Sequence, residues 1–142
     1  MNVFIEVLPN FRREAKRLIK KYRSLKGELE ELYKCLESAP YFGIKITENT
    51  YKIRLAVKSK GKGKSGGMRL ITHVYVEIQE ENIIVLLLSI YDKSDVENIP
   101  EKALTFLIES ARKKMEEESS NNQKMDSKNL EEGEAKYDDS EE

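Results

Sequence analysis

Seven cationic side chains lie close together in one segment of the chain: Lys52, Arg54, Lys58, Lys60, Lys62, Lys64 and Arg69. Lysine and arginine at this density can neutralise a phosphodiester backbone, and arginine also donates paired hydrogen bonds to a phosphate group. The segment therefore indicates a phosphate-binding surface. The alternative is a flexible, solvated hairpin loop, which explains the glycines of this segment well but explains the concentration of positive charge less well.

Residue types and spacing exclude two classes of enzyme. The tripeptide GKS at 63–65 matches the end of a P-loop, G-x-x-x-x-G-K-[ST], but the first glycine of that pattern would fall at Lys58. The following MRLITHVYVEI has a period of two, so the loop opens a strand and has no helix dipole behind it. A metal-dependent hydrolase needs clustered ligands, and the chain has one histidine and one cysteine, with most acids on predicted helices or in the tail.

Three predicted strands carry the cations. TYKIRLAVKS from Thr50 and MRLITHVYVEIQ from Met68 each alternate an apolar face with a wetter face, whereas NIIVLLLSIYDK from Asn82 is apolar on both faces until Tyr91. A strand that is apolar on both faces is typical of the interior of a sheet. The turn EEN at 80–82 is expected to join the last two strands as an antiparallel pair.

The alternation of side chains along each strand divides the polar residues into three groups. Lys52, Arg54 and Lys58 share one face of the first strand, Arg69 and His73 share one face of the second, and Tyr91 and Lys93 end the third. If these faces coincide, cations from three strands converge on one surface. The register between the strands decides this, and the sequence does not determine the register.

The other segments predict the elements that support this sheet. NVFIEVLP reads as a strand, and two amphipathic helices follow, one with Asn10 as its N-cap and one with leucines at 25, 29, 32 and 36. A last helix follows Pro100. The predicted fold class is α+β: a small antiparallel β-sheet with an N-terminal helical hairpin and a C-terminal helix.

Charge divides the chain into two parts. Residues 113–142 carry five lysines against eleven acids, whereas residues 1–112 carry 20 basic residues against 15 acids. We therefore predict a basic domain at 1–112 and an acidic, disordered tail at 113–142, since the tail lacks the apolar area that would offset the entropy of ordering. The apolar run at 83–90 is too short for a membrane helix and the N-terminus has no export signal, so the expected compartment is the cytoplasm.

Three segments carry a resemblance to a known family: PNFRREAKRLIKKYRSLKGEL, YKIRLAVKSKGKGKSGGMRLITHV and LLLSIYDKSDVENI. In this order they resemble the RelE/ParE superfamily of toxins from type II toxin-antitoxin modules, and within it the HigB-like or RelE-like toxins. The resemblance covers about residues 1–110 and leaves the acidic tail unmatched. The family's fold, a small antiparallel sheet with a helical hairpin packed on it, agrees with the predicted order of elements.

The resemblance implies an mRNA interferase, an endoribonuclease that cuts translated mRNA, in RelE-like members within the ribosomal A site, and so blocks translation. It implies that no metal or other cofactor is used, because the RNA 2′-hydroxyl attacks the adjacent phosphate and leaves a cyclic phosphate, so that DNA is spared. The implied partners are mRNA, the ribosome and a cognate antitoxin that binds through an amphipathic helix or strand. No membrane partner is expected, and contact with DNA is expected only through the antitoxin complex.

The resemblance also implies roles for individual residues. Lys52 and Arg54 match the basic pair on the first hairpin strand, Arg69 matches the arginine that opens the next strand, and Lys93 falls where RelE-like toxins place a basic residue after the last strand. With Tyr91 these are the predicted catalytic residues. The residues predicted to contact RNA are Lys58, Lys60, Lys62, Lys64 and His73.

One position departs from the family pattern. RelE has a tyrosine a few residues beyond the last basic position, used in acid-base chemistry, whereas the corresponding SDVENI has Ile99 and no tyrosine. The candidates for proton transfer are therefore Lys52, Tyr91 and His73, and we favour Lys52 together with Lys93. A lone strand histidine is more often a packing or surface residue, and Tyr91 could equally cap the edge of the sheet.

Two other functions remain open. The ParE branch of the superfamily inhibits DNA gyrase and cuts nothing, although its members generally lack the concentrated cationic hairpin. A non-catalytic RNA-binding or ribosome-binding module would use the same cations without an acid or a base. The acidic tail could also lie over the cations of its own chain, although acidic tails usually only solvate a surface.

Overall fold

Five strands and three helices make up the part of the chain that the structure describes, which is residues 1–61, 63 and 66–124 of a computed structural model, with side chains as far as residue 120. In chain order they are β1 (Asn2–Val7), α1 (Pro9–Lys21), α2 (Leu25–Ser38), β2 (Ile44–Thr47), β3 (Thr50–Leu55), β4 (Met68–Glu77), β5 (Asn82–Asp92) and α3 (Glu101–Lys124). The fold class is α+β, as predicted.

The strands form one sheet in the order β1-β5-β4-β3-β2. The pairs from β2 to β5 are antiparallel, as predicted, but β1 pairs parallel with β5, with Val7 opposite Leu87. A parallel pair is possible here because helices and three other strands connect β1 with β5. The predicted interior position of β5 is confirmed, since it lies between β1 and β4 and its residues 84–92 are buried.

Helices cover both faces of this sheet. α1 and α2 pack on one face, where Phe11 and Leu29 belong to the same core cluster as Leu87 of β5. α3 packs on the other face, which we call the α3 face, where Met115 joins Leu86 of β5. Consecutive residues of β5 therefore serve two different cores, as the alternation of side chains along a strand requires.

Two elements differ from the prediction. β2 is absent from the prediction because it has only four residues, all exposed, at the edge of the sheet. The turn that joins β2 to β3 contains Asn49 with a φ of 58°, a left-handed conformation that asparagine tolerates. α1 begins at Pro9, with Leu8 as its N-cap in place of the predicted Asn10, and Nδ2 of Asn10 donates instead to the carbonyl oxygen of Leu88 at 2.9 Å.

α3 continues past the predicted boundary between domain and tail at residue 112. Met115 is buried against the sheet, and Nζ of Lys114 lies 2.7 Å from Oε2 of Glu6 in β1. These contacts hold the helix on the sheet beyond residue 112, and the helix ends at Lys124. The rest of the predicted tail, residues 125–142, lies outside the described residues. Within the described ranges, no helix has the length and hydropathy that a membrane span requires.

Glu14 of α1 binds an irregular point of the central strand. The register of β4 against β5 shifts between Ile71 and Thr72. Beside this shift, Oε1 of Glu14 accepts hydrogen bonds from Oγ of Ser89 and from the backbone N–H of Ile90, each at 3.0 Å. Burial raises the pKa of Glu14, although these hydrogen bonds act in the opposite direction. One acidic side chain therefore joins α1 to the strand beside the candidate site.

Glu14→Ala is expected to lower the free energy of unfolding by about 2 kcal/mol, because the partly buried donors of Ser89 and Ile90 lose their acceptor. Urea unfolding followed by circular dichroism measures this change. Glu14→Gln keeps an acceptor oxygen at the same place and should lose much less stability. Equal losses in the two variants would contradict the role given to this oxygen.

Candidate active site

Three predicted site residues form a row across the sheet. Arg54 of β3 lies opposite Arg69 of β4, and Arg69 lies opposite Tyr91 of β5. Residues directly opposite each other in neighbouring strands point to the same face. Lys52 shares this face because it lies two residues before Arg54 on β3. The structure therefore brings together Lys52, Arg54, Arg69 and Tyr91, and the row lies on the α3 face, since Tyr91 belongs to its core cluster.

The four side chains lie at different depths. Arg54 is exposed and Lys52 is half-buried, whereas Arg69 is only 4% exposed and Tyr91 8%. Burial lowers the pKa of Arg69, and the neighbouring charge of Arg54 lowers it further. Burial and the charge of Arg54 both raise the free energy of the charged form of Arg69. A bound anion would lower that free energy. This pair can therefore hold a phosphate that approaches from the side of Arg54.

The hydroxyl of Tyr91 is buried, and its pKa is raised. Burial raises the pKa of its phenol, while the backbone of Ile99 and the charge of Arg69 act in the opposite direction. A phenol with a raised pKa stays protonated near neutral pH, which suits a general acid and does not suit a general base. Among the candidates for proton transfer, Tyr91 therefore fits an acid step and not a base step, and its catalytic role stays a prediction.

The loop between β5 and α3 forms one wall of the site. Nζ of Lys52 donates a hydrogen bond to Oδ1 of Asn98 at 3.0 Å. Lys93 opens this loop, is half-buried, and its backbone N–H donates to the carbonyl oxygen of Gly67 at 3.1 Å, which extends the pairing of β5 with the start of β4. Asn98 is not among the residues predicted from the sequence, because a single asparagine in a polar loop carries no pattern.

Lys60 differs from the role predicted for it. Its side chain is 6% exposed, and Nζ lies 3.1 Å from Oδ1 of Asp92 and donates to the carbonyl oxygen of Gly66 and to Oγ of Ser94, each at 2.8 Å. Nζ also lies 5.8 Å from the ring centre of Tyr22, the residue that follows α1. Its ammonium group therefore holds the loop onto the domain, and its predicted contact with RNA stays a prediction.

The remaining lysines of the loop stay predictions. Lys58 is exposed, and its backbone N–H donates to Oε2 of Glu28 at 2.8 Å, so the base of the loop is fixed to α2 while the side chain is open to solvent. Gly67 is required where the chain enters β4, because an added Cβ would lie 2.1 Å from the carbonyl oxygen of Leu55. Lys62 and Lys64 lie outside the described residues.

His73 is buried and does not reach the surface. It is 4% exposed, and its Nδ1 lies 2.9 Å from Oγ1 of Thr50. Burial lowers its pKa to about 4, and Arg112 of α3 contributes to this shift. The ring is therefore neutral at physiological pH and packs under α3, and its predicted contact with RNA stays a prediction. The structure agrees with the packing role that the sequence favours for it.

Comparison with known proteins finds no matching family model and a similar solved structure. No family model matches the chain, and no curated protein matches it. Among solved structures, a mutant of the E. coli toxin RelE in the free state is similar, with a TM-score of 0.48 and 16% sequence identity over 78% of this chain and 98% of that one. The functional assignments therefore depend on the residues of this chain.

Proposed function

We propose that this protein is a RelE-like or HigB-like toxin of a type II toxin-antitoxin module, a metal-independent endoribonuclease that cleaves translated mRNA. The observation that supports this most is the row of Arg54, Arg69 and Tyr91, with Lys52 beside it on the same face. Such a row combines phosphate-binding cations with a proton donor. The resemblance of the three sequence segments to this family supports the choice of RNA as substrate.

The proposed reaction uses the RNA as its own nucleophile. The 2′-hydroxyl attacks the adjacent phosphorus, the bond to the 5′-oxygen breaks, and the products are a 2′,3′-cyclic phosphate and a 5′-hydroxyl. Arg69 and Arg54 bind the nonbridging oxygens and neutralise the charge that develops in the transition state. Tyr91 gives its proton to the leaving 5′-oxygen, and Nζ of Lys52 accepts the proton of the attacking 2′-hydroxyl.

The proposal includes the partners that such a toxin has. The substrate is mRNA on the ribosome, in the cytoplasm, and a cognate antitoxin neutralises the enzyme. DNA lacks the 2′-hydroxyl and is not a substrate. Lys93, which lies two residues after Tyr91, keeps its predicted catalytic role beside Lys52, and Lys58 is assigned to a further backbone contact.

Cleavage is expected to continue in excess EDTA and to stop when the nucleotide at the cut site carries a 2′-deoxyribose. The site supplies positive charge through its own side chains, so it needs no metal for that purpose, and the reaction has no nucleophile without the 2′-hydroxyl. Gel analysis of a labelled RNA with purified ribosomes measures both effects. Loss of activity in EDTA while the ribosomes stay intact, or cleavage of the 2′-deoxy substrate, would contradict the proposed chemistry.

Tyr91→Phe is expected to lower the cleavage rate by about 10²-fold, since a positioned general acid contributes roughly this much or more. RNA affinity should change little, because the phosphate contacts come from the cations. Single-turnover cleavage together with fluorescence anisotropy separates the two quantities. This variant also tests the non-catalytic alternative, since an RNA-binding module would bind RNA as before and show no cleavage in either form.

A further inference from the structure

α1 carries a second concentration of positive charge, which the proposed reaction does not use. Within Pro9–Lys21 there are six cations and one acid, and that acid, Glu14, binds β5. We call these cations the α1 basic face: Arg12, Arg13, Lys16, Arg17, Lys20 and Lys21. α1 packs on the side of the sheet opposite to the α3 face, so the α1 basic face and the candidate active site are separate surfaces.

Two surface depressions make the α1 basic face continuous with α3. One, of about 510 Å³, is lined by Arg13, Lys16, Arg17, Lys20 and Lys21. The second, of about 490 Å³, shares Arg13 and Lys16 with the first and reaches Lys114 of α3 along the edge of β1. A positively charged surface therefore extends from the end of α1 to Lys114, in the middle third of α3.

α3 leads the chain away from the candidate site. The helix begins beside the site, where Ile99 packs in one cluster with Tyr91. Further along α3, Glu116 lies near Tyr75. Burial raises the pKa of the Tyr75 phenol, and the charge of Glu116 raises it further. Tyr75 lies opposite Ile84 of β5. Ile84 and Tyr91 are seven strand positions apart, which corresponds to roughly 23 Å.

Acidic side chains already border the second depression. Nζ of Lys114 pairs with Glu6 of β1 and, one helical turn further along α3, with Glu118. The sequence that follows α3, residues 125–142, has eight acids and two lysines. Its 18 residues can extend over roughly 60 Å, whereas the α1 basic face is about 14 Å long. The negative charge and the length of residues 125–142 are therefore both sufficient for this segment to contact the α1 basic face of the same molecule.

We propose that the acidic segment 125–142 docks on the α1 basic face of its own chain. Each exposed ion pair contributes little, but several pairs on one tether act at an effective concentration in the millimolar range. The docked segment leaves the row of Arg54, Arg69 and Tyr91 open. The inference does not depend on the proposed ribonuclease activity, because it concerns the other side of the sheet.

Zero-length carbodiimide crosslinking of the full chain at low ionic strength tests this proposal. The reagent joins carboxylates to amines, and mass spectrometry identifies the linked peptides. We expect Glu131, Glu132 and Glu134 to link mainly to the lysines of α1, with a yield that does not change on tenfold dilution. In 0.5 M NaCl the yield should fall several-fold, because salt screens exposed charges.

A charge variant separates docking from chance contact. Arg13→Gln with Arg17→Gln removes two cations that cannot form the crosslink and keeps the lysines of α1 as acceptors, so we expect the yield on those lysines to fall at least threefold. Lys34→Gln with Lys45→Gln removes the same charge from α2 and β2 and should leave the yield unchanged. Links mainly to Lys52, Lys58 or Lys93, or an even spread over all lysines, would overturn the proposal, as would equal yields in the two variants.

Discussion

Arg69→Ala is expected to lower the rate of RNA cleavage by about 10³-fold, the upper part of the range for loss of one preorganised charge at a transition state. Arg69 lies between Arg54 and Tyr91 in the row and is only 4% exposed, so water screens its charge little. No neighbouring cation lies at the same depth in this row. Single-turnover cleavage of a defined mRNA on ribosomes measures the effect.

Arg69→Lys provides the matched control. Lysine keeps the charge but cannot donate two parallel hydrogen bonds to one phosphate, so we expect it to recover part of the lost rate. Both variants need a thermal unfolding curve, because Nη1 of Arg69 also donates to the carbonyl oxygen of Met68 at 3.2 Å. A folded Arg69→Ala protein with the wild-type cleavage rate would remove Arg69 from the mechanism.

Asp92→Ala is expected to lower the free energy of unfolding by about 3–5 kcal/mol, the cost of removing one partner from a buried ion pair. Asp92 is 3% exposed, and it accepts hydrogen bonds from the hydroxyl of Tyr22 at 3.0 Å and from the backbone N–H of Ser94 at 2.9 Å, in addition to its pair with Lys60. Urea unfolding measures the change. Lys60→Met combined with Asp92→Leu leaves no buried charge, so it should lose less stability than Asp92→Ala.

The stability that Asp92 provides should also depend on pH. Burial alone would raise the pKa of Asp92, but hydrogen bonds from Ser94, Lys60 and Tyr22 lower it below the ordinary value for an aspartate. A lowered pKa in the folded state means that the unfolded chain binds more protons as the pH falls. The wild-type protein should therefore lose this stability below about pH 4, and Asp92→Ala should lack that part of the pH dependence. Parallel pH curves for the two proteins would contradict the assignment.

The sequence was sufficient to predict much of the fold. Clear periodicity predicted both N-terminal helices, the long strands and the interior position of β5, because burial on one or two faces leaves a regular apolar pattern. β2 was not predicted, because its residues are all exposed and therefore show no apolar pattern. The parallel pairing of β1 with β5 also depends on contacts between residues about 80 positions apart, which local patterns do not encode.

The candidate site was predictable in its residue types and less so in its arrangement. Alternation along β3 and β4 placed Lys52, Arg54 and Arg69 on the wetter faces, but only the register shows that Tyr91 completes the row. The position of Lys60 could not be predicted from the sequence, since loop lysines usually stay in solvent. This lysine forms a buried ion pair with Asp92. An aspartate that ends an apolar strand was the available signal, because such a carboxylate requires a partner.

The most direct test of the central claim is to map mRNA ends in a bacterial host after induced expression of the wild type and of Arg69→Ala. We predict growth arrest with new 5′-hydroxyl ends inside translated messages for the wild type, and neither effect for Arg69→Ala. Growth arrest with intact messages and a DNA-damage response would contradict the ribonuclease assignment and would favour inhibition of DNA gyrase.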